Sequence, residues 1–339
     1  MIRISEGHTM QGKKVLVTGA AGFIGSSLVR ELVRNGNEVR GLDNLSCGRI
    51  SNLAGVLPSM QFVEGDLRDT ALVADLCMGV DVIFHEGALA SVPKSVINPL
   101  VSHQSNVEGT LSLLLAAKRE GVRRVVYAAS SSAYGNSGAR PLHEAMLTAP
   151  ISPYAVQKLA GEHYMQSFAS VYGMETVCLR YFNVFGPFQA ADSTYSGVLA
   201  KFITSMLVGE PVTIFGDGSQ SRDFTYIDDV VQANLLAAAA PASFVSGKVY
   251  NIACGQAHSL LETHRDLCRL LGSSGAPIFQ PPRLGDIQHS MADIGRAEEE
   301  MGYRPRVDFV EGLRRTAAWY AAENLAALSA ANARNKVMA

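Results

Sequence analysis

Three glycines, Gly19, Gly22 and Gly25, constrain this chain more than any other feature. They follow a short apolar run at 13–18 (KKVLVT) and open an amphipathic stretch at 23–35, which predicts strand, tight turn and helix. Glycines at such a turn let a pyrophosphate approach the backbone, and the helix N-terminus supplies free N–H groups and a dipole that favour anions. A second strand, 38–43 (EVRGLD), ends in Asp43, 18 residues beyond Gly25. A carboxylate at that spacing is placed to accept both ribose hydroxyls of NAD and to repel the 2′-phosphate of NADP.

The pattern then repeats. Apolar runs at 60–64, 80–84, 124–128 and 176–180 alternate with helical stretches such as 107–119 and 153–172. Such βαβ units predict a Rossmann-type, doubly wound parallel α/β sheet with right-handed crossovers. From about residue 181 loops rich in Gly, Pro and Asp become frequent. We place a nucleotide-binding domain at 12–181, a smaller C-terminal substrate-binding lobe at 182–325, and tails at 1–11 and 326–339. Returns to the sheet are expected at 228–240 and 249–252. The lead at 1–11 lacks the basic and apolar regions of a signal peptide and reads as disordered, and the Ala-rich end reads as a helix that frays.

Bulk properties exclude several classes. A net charge of -2, with no Lys/Arg-rich run, leaves no footprint for nucleic acid. No apolar run approaches the ~20 residues of a membrane span. The five cysteines have no metal-type spacing and read as reduced thiols, so no metal and a cytoplasmic location are expected.

Tyr154 and Lys158 stand four residues apart on one face of a predicted helix. A nearby ammonium lowers a phenol's pKa from about 10 towards working pH, making it usable as a base. The spacing alone is common. Ser130-Ser131-Ser132, at the end of a strand upstream, adds a hydroxyl that can bond a substrate oxygen beside the tyrosine. Asp66, after the third strand, reads equally as a contact to the adenine edge or as a helix N-cap.

Taken together these pieces resemble the extended short-chain dehydrogenase/reductases, and within them the nucleotide-sugar 4-epimerases. The matching segments run from Lys13 to about Tyr320. They include Gly65-Asp66, the NVEGT motif from Asn106, SSSAYG from Ser130, RYFNVFGP from Arg180 and GDGSQSRDF from Gly216. The resemblance implies that Tyr154 is the base, that Lys158 holds the nicotinamide ribose, and that Ser130 polarises the sugar hydroxyl. It implies NAD contacts from Gly19, Gly22, Phe23, Ile24, Gly25, Asp43, Asn44, Asp66, Leu67, Ala88, Asn106, Tyr154, Lys158 and Tyr181. For a UDP-sugar substrate it implies Ser91, Ser130, Ser131, Asn183, Val198, Lys201, Thr213, Phe215, Arg222, Arg283, Asp286 and Ser290. Asn183, Arg222 and Arg283 would meet the diphosphate and Asp286 the uridine ribose, matching guanidinium forks to phosphate and a carboxylate to a diol.

Dehydratases of this family carry an acidic pair after the serine or threonine, where this chain has Ser131-Ser132-Ala133. Ser290 matches a wall of the sugar pocket; a tyrosine there crowds carbon 2, whereas serine leaves room for an acetamido group. The Gly87–Ser91 stretch and Pro93 also resemble UDP-N-acetylglucosamine epimerases. The expectation is therefore interconversion of UDP-GlcNAc and UDP-GalNAc through a 4-keto intermediate, with UDP-glucose and UDP-galactose as further substrates. The alternative is a UDP-glucuronate 4-epimerase or decarboxylase. A reductase would consume free NAD(P)H, and a non-catalytic module would be expected to lack the tyrosine or the lysine. The resemblance further implies a homodimer formed by the helices at 105–119 and 153–170, although their apolar faces could equally belong to the core.

Overall fold

The computed structural model describes residues 10–138, 140–191, 197–282 and 287–337, with side chains as far as 323. Seven parallel strands form one sheet: β1 (Lys14–Thr18), β2 (Glu38–Asp43), β3 (Gln61–Glu64), β4 (Val82–His85), β5 (Arg124–Ser130), β6 (Glu175–Tyr181) and β7 (Lys248–Ile252). Their order, β7-β6-β5-β4-β1-β2-β3, reverses at β1, so the carboxyl ends of β1 and β4 flank the switch point where ligands of such sheets bind.

The central strands are buried on both faces, which is why they read as continuous apolar runs rather than alternating ones. Their side chains nonetheless divide by parity. Val15, Val17, Val82 and Phe84 join one core with Leu28, Val29 and Leu32 of α1 (Phe23–Arg34). Leu16, Ile83 and Val125 join the other. That second face is covered by α2 (Thr70–Cys77), α5 (Gly109–Arg119) and α6 (Pro153–Tyr172). Two short helices, α3 (Val92–Ile97) and α4 (Pro99–His103), precede α5, and a π turn at Gln104–Glu108 joins α4 to it. Each fully buried leucine or phenylalanine contributes roughly 1.5–3 kcal/mol.

α6 begins and ends on local chemistry. Ser152 caps it by accepting from Ala155 N at 3.2 Å, Pro153 takes the first turn where no N–H is needed, and Gly173 stops it with φ of 67°.

Two expectations are corrected. Segment 228–240 does not return to the sheet as a strand. It forms α8 (Ile227–Ala239), following α7 (Val198–Leu207), and lies on the sheet beside α1. Arg124, buried at the start of β5, donates Nη1 to the carbonyls of Ala237, Ala238 and Ala240 at 2.6–2.9 Å. The guanidinium meets the negative end of α8 and pairs with Glu175 at 2.6 Å. Only Lys248–Ile252 adds a strand here, on β6. The lead at 1–11 is also tied down at its end: Met10 is buried and its carbonyl accepts from Asn37 Nδ2 at 2.9 Å.

Beyond Phe182 the strands are short. Thr213–Phe215 pairs with Ile278–Gln280, and Ser221–Asp223 pairs antiparallel with Ala257–Ser259. The first core continues into this region through Phe185, Phe224, Tyr226 and Phe309. The last helix spans Phe309–Val337. Among the described residues no helix is long and apolar enough to cross a membrane.

Candidate active site

The glycine turn is built as its sequence requires. Gly19 has φ of 67°, and a Cβ there would lie 2.8 Å from Gly87 Cα; a Cβ on Gly25 would lie 2.0 Å from the Gly19 carbonyl oxygen. Gly22 caps α1 without a side chain, which leaves the helix N-terminus with Phe23 and Ile24 open to an anion. Asp43 Oδ2 accepts from Ala21 N at 2.9 Å and Oδ1 from Leu45 N at 2.8 Å. Burial pushes its pKa up while these backbone bonds pull it down. Each oxygen keeps a second lone pair, so this cradle fits the diphosphate and ribose of a dinucleotide.

Asp66 caps no helix. Arg68 grips it through Nε at 2.8 Å and Nη2 at 2.9 Å, Asn44 Nδ2 donates at 2.8 Å, and the arginine holds its pKa far below the usual range. Asp69 is the N-cap of α2, accepting from Leu72 N. The N-cap alternative for Asp66 therefore falls. Leu67 packs against Gly87 and Gly109, and Ala88 is half-buried beyond β4.

Asn106 lies in the π turn, a distortion often found at functional positions. Its Oδ1 accepts from Leu89 N at 2.7 Å and its Nδ2 donates to Gln157 Oε1 at 2.9 Å. The amide thus orders the loop after β4 against α6. Below it, Thr110 donates to the Asn106 carbonyl at 2.7 Å, so His85 Nε2–H donates to Thr110 at 2.9 Å and His85 Nδ1 accepts from Thr18 at 2.8 Å. Burial lowers the His85 pKa to about 3, keeping the ring neutral.

Ser130, Tyr154 and Lys158 converge at the carboxyl edge of β5. Tyr154 N donates to Ser95 Oγ at 3.0 Å, and Ser130 Oγ accepts from Ser132 Oγ at 2.8 Å, with Ser131 alongside, half-buried. Lys158 is buried and its Nζ donates to the Ala128 carbonyl at 2.7 Å. Burial lowers its pKa to about 8 against the opposing pull of Glu86 and Glu162. The sequence expectation for Tyr154 needs correction. Burial raises its pKa and the Ser130 hydroxyl lowers it, while the ammonium is turned towards Ala128.

Tyr181 is expected at the cofactor, but its partners Glu86 and Asn234, and likewise Glu162, carry no signal of their own in the sequence. Tyr181, paired with Ser130 across the strands, donates to Glu86 Oε1 at 2.9 Å and accepts from Asn234 Nδ2 at 2.8 Å. Burial pushes Glu86 up to about 7. Glu162, one turn beyond Lys158, receives a buried two-pronged bond from Arg180 at 2.9 and 2.7 Å. The i, i+4 spacing of 154, 158 and 162 was the available clue to this last pair.

On the substrate side, Ser91 caps α3, accepting from Lys94 N at 3.2 Å. Asn183 adopts φ of 31° and donates to the Asp223 carbonyl at 2.9 Å. Arg222 Nη1 donates to the Ser221 carbonyl at 3.0 Å. Val198 and Lys201 lie half-buried on α7. Thr213 opens the strand carrying Phe215, which lines a cavity of about 650 Å³ with Gly216, Asp217, Gln220, Phe279 and Pro282. Ser290 is buried, its N–H donating to the Ser221 carbonyl at 3.0 Å. The carboxylate of Asp223, which the sequence motif contained without assigning it a role, accepts from Cys254 N, Gly255 N and Ala292 N at 2.9–3.1 Å and fastens that segment. Arg283 and Asp286 lie outside the described residues. Among the described residues no cluster of three or more His, Cys, Asp or Glu is placed to hold a metal.

Residues 15–253 match the model of the NAD dependent epimerase/dehydratase family. The chain belongs to this family. NAD is accordingly its cofactor and it is an enzyme, an isomerase of the epimerase branch. It is 40% identical over 311 residues to the UDP-glucose 4-epimerase of Mycolicibacterium smegmatis, spanning 91% of this chain and 98% of that one. Among solved structures it is similar to a UDP-N-acetylglucosamine 4-epimerase from Methanobrevibacter ruminantium in complex with UDP-N-acetylmuramic acid. That likeness has 39% identity and a TM-score of 0.89, covering 93% of this chain and all of the other. The UDP-glucose 4-epimerase of Thermus thermophilus, solved with NAD, is 36% identical with a TM-score of 0.81, covering 91% and 98%. The Rossmann reading of the epimerase family chain is thereby met in sequence and in fold.

Proposed function

We propose that this protein is a UDP-sugar 4-epimerase acting chiefly on UDP-N-acetylhexosamines. The observation that carries the substrate class is Ser290: a small side chain, buried where the segment 288–293 crosses Ser221, in place of a bulky wall. The 4-epimerase reading itself rests on Ser130, Tyr154 and Lys158 meeting at one strand edge beside the glycine turn.

In this reading residues 12–181 hold the dinucleotide and 182–325 the nucleotide sugar. Tyr154, as phenolate, takes the proton of the sugar 4-hydroxyl, and Ser130 donates a hydrogen bond to the same oxygen as it becomes a carbonyl. Lys158 would hold the nicotinamide ribose and, released from the Ala128 carbonyl, would favour the phenolate. NAD, when bound, would supply the hydride acceptor and donor for carbon 4, and the sugar would present its opposite face for the return. Arg222 and Asn183 anchor the diphosphate while the sugar turns over. Tyr154 then gives its proton back, so no net reductant is needed.

A homodimer is part of the proposal. Ile97, Leu100, Leu115 and Val156 expose 74%, 65%, 52% and 51% of their surface on α3–α6, which suits a second copy. The free cysteines suit a cytoplasmic location.

The deciding experiment incubates the purified protein, without added cofactor, with UDP-GlcNAc, UDP-glucose and UDP-glucuronate in parallel, read by NMR. Galacto-configured product from UDP-GlcNAc is expected. Product only from UDP-glucuronate would replace the substrate class, and no product from any of them after NAD+ is added would end the epimerase reading.

A further inference from the structure

Glu86 is a half-buried carboxylate to which the reaction above gives no task. Its position follows from the sheet. β4 pairs with β5 so that His85 stands opposite Tyr127, which puts Glu86 beside Ala128, the residue whose carbonyl receives Lys158 Nζ at 2.7 Å. β4 also lies between β1, which carries the glycine turn, and β5, which carries Ser130. A dinucleotide reaching from Gly19 to Tyr154 along the carboxyl edge must cross the end of β4. Tyr181 fixes the carboxylate from the side, donating at 2.9 Å, and Asn234 fixes Tyr181 at 2.8 Å.

The charges here can be counted. Lys158 contributes one positive charge. Glu162 is neutralised by its two-pronged bond from Arg180. Tyr154 is neutral once it has taken the sugar proton, so at the ketone stage Glu86 is the group that balances Lys158. Without it, an uncompensated ammonium would face a nicotinamide that is cationic when oxidised and neutral when reduced. That imbalance would favour the reduced form and leave the sugar stranded as the ketone.

We propose that Glu86 is an electrostatic positioning residue that biases the bound nicotinamide towards its oxidised form, so that the hydride is handed back to the sugar. The balance matters for an isomerase in a way it does not for a dehydrogenase, because both halves of the reaction occur on one bound cofactor. The raised pKa of Glu86, about 7, is consistent with a carboxylate that a neighbouring cation would help to ionise.

The inference rests on the placement of Lys158 and Tyr154 given above, but its test needs no turnover. Cofactor-stripped protein at pH 8, where a carboxyl held at about 7 is ionised, is titrated with NAD+ and with NADH, and the ratio of the two dissociation constants is compared between wild type, Glu86→Gln and Glu86→Asp. Glutamine keeps an acceptor for Tyr181 and loses the charge; aspartate keeps the charge. The Gln variant should weaken NAD+ relative to NADH by roughly tenfold, the scale of one charge several ångströms away in a partly screened site. The Asp variant should keep the wild-type ratio. With UDP-sugar added, the Gln variant should also accumulate more absorbance at 340 nm. An unchanged ratio in the Gln variant, or equal shifts in both variants, overturns the proposal. Should the Gln variant not fold by circular dichroism, Glu86→Thr must show the same shift for the proposal to stand. Failure of Tyr154→Phe to lose turnover would strike the catalytic reading and leave this ratio as it is.

Discussion

Tyr154 and Ser290 are the residues on which the chemistry and the substrate choice separately depend. Tyr154→Phe should lower kcat by about 10²–10⁴-fold while UDP binding by calorimetry changes little, because the phenolic oxygen is the proposed base. A variant with wild-type turnover would remove Tyr154 from the mechanism. Ser290→Tyr should abolish conversion of UDP-GlcNAc and spare UDP-glucose, since a phenol at this place takes the volume that an acetamido group needs. Equal loss on both sugars would show that the segment at 288–293 does not wall the pocket. At this scale the sequence was legible where a motif names a chemical group. It was silent on Glu86, whose significance comes from lying across the sheet from Tyr181, 95 residues away in the chain.

Among the elements, the helix at 227–239 shows where pattern reading fails. Its run of Val, Leu and Ala is apolar nearly all round, and a short apolar run can be a buried strand or a buried helix by periodicity alone. What decides is Arg124, more than 110 residues earlier in the chain, whose guanidinium holds the last carbonyls of α8. Arg124→Leu should cost about 3–5 kcal/mol in urea unfolding, because Glu175 and the helix end lose their buried cation. A cost below 1 kcal/mol would mean that packing alone holds α8 in place. The strands β1–β6, by contrast, were readable to within a residue or two, since each carries apolar residues over a strand-sized run bounded by turn residues or helical stretches.

Considered as a whole molecule, the protein carries two opposed pH contributions: Glu86 should cost stability as pH rises from about 4.5 to 7, while His85, held at about 3, should add stability up to about 6.5. Glu86, raised to about 7, stays protonated in the folded state over that interval while its unfolded counterpart ionises. At this site the folded state then binds more protons than the unfolded state, so the Glu86 contribution falls as pH increases. Glu86→Gln should remove that part of the slope, gaining on the order of 1–3 kcal/mol over wild type at pH 8 relative to pH 5 in cofactor-free protein. A pH-independent difference would mean that the carboxyl titrates normally. Assembly belongs to this scale too. Leu100→Glu with Val156→Glu should convert a dimer to a monomer by light scattering; an unchanged mass would place the contact elsewhere.

The seven-stranded sheet is not finished by the first half of the chain. α8 roofs one of its faces and β7 closes its edge on β6, and both come from beyond residue 226. During synthesis, β6 is therefore made about 70 residues before the strand that pairs with it. At roughly 5–20 residues per second, that leaves an open strand edge and a bare apolar face for several seconds on the ribosome. A truncation ending near residue 181 would hold that exposed state permanently. Such a fragment is the natural client of a chaperone, and only the later half of the chain can release it.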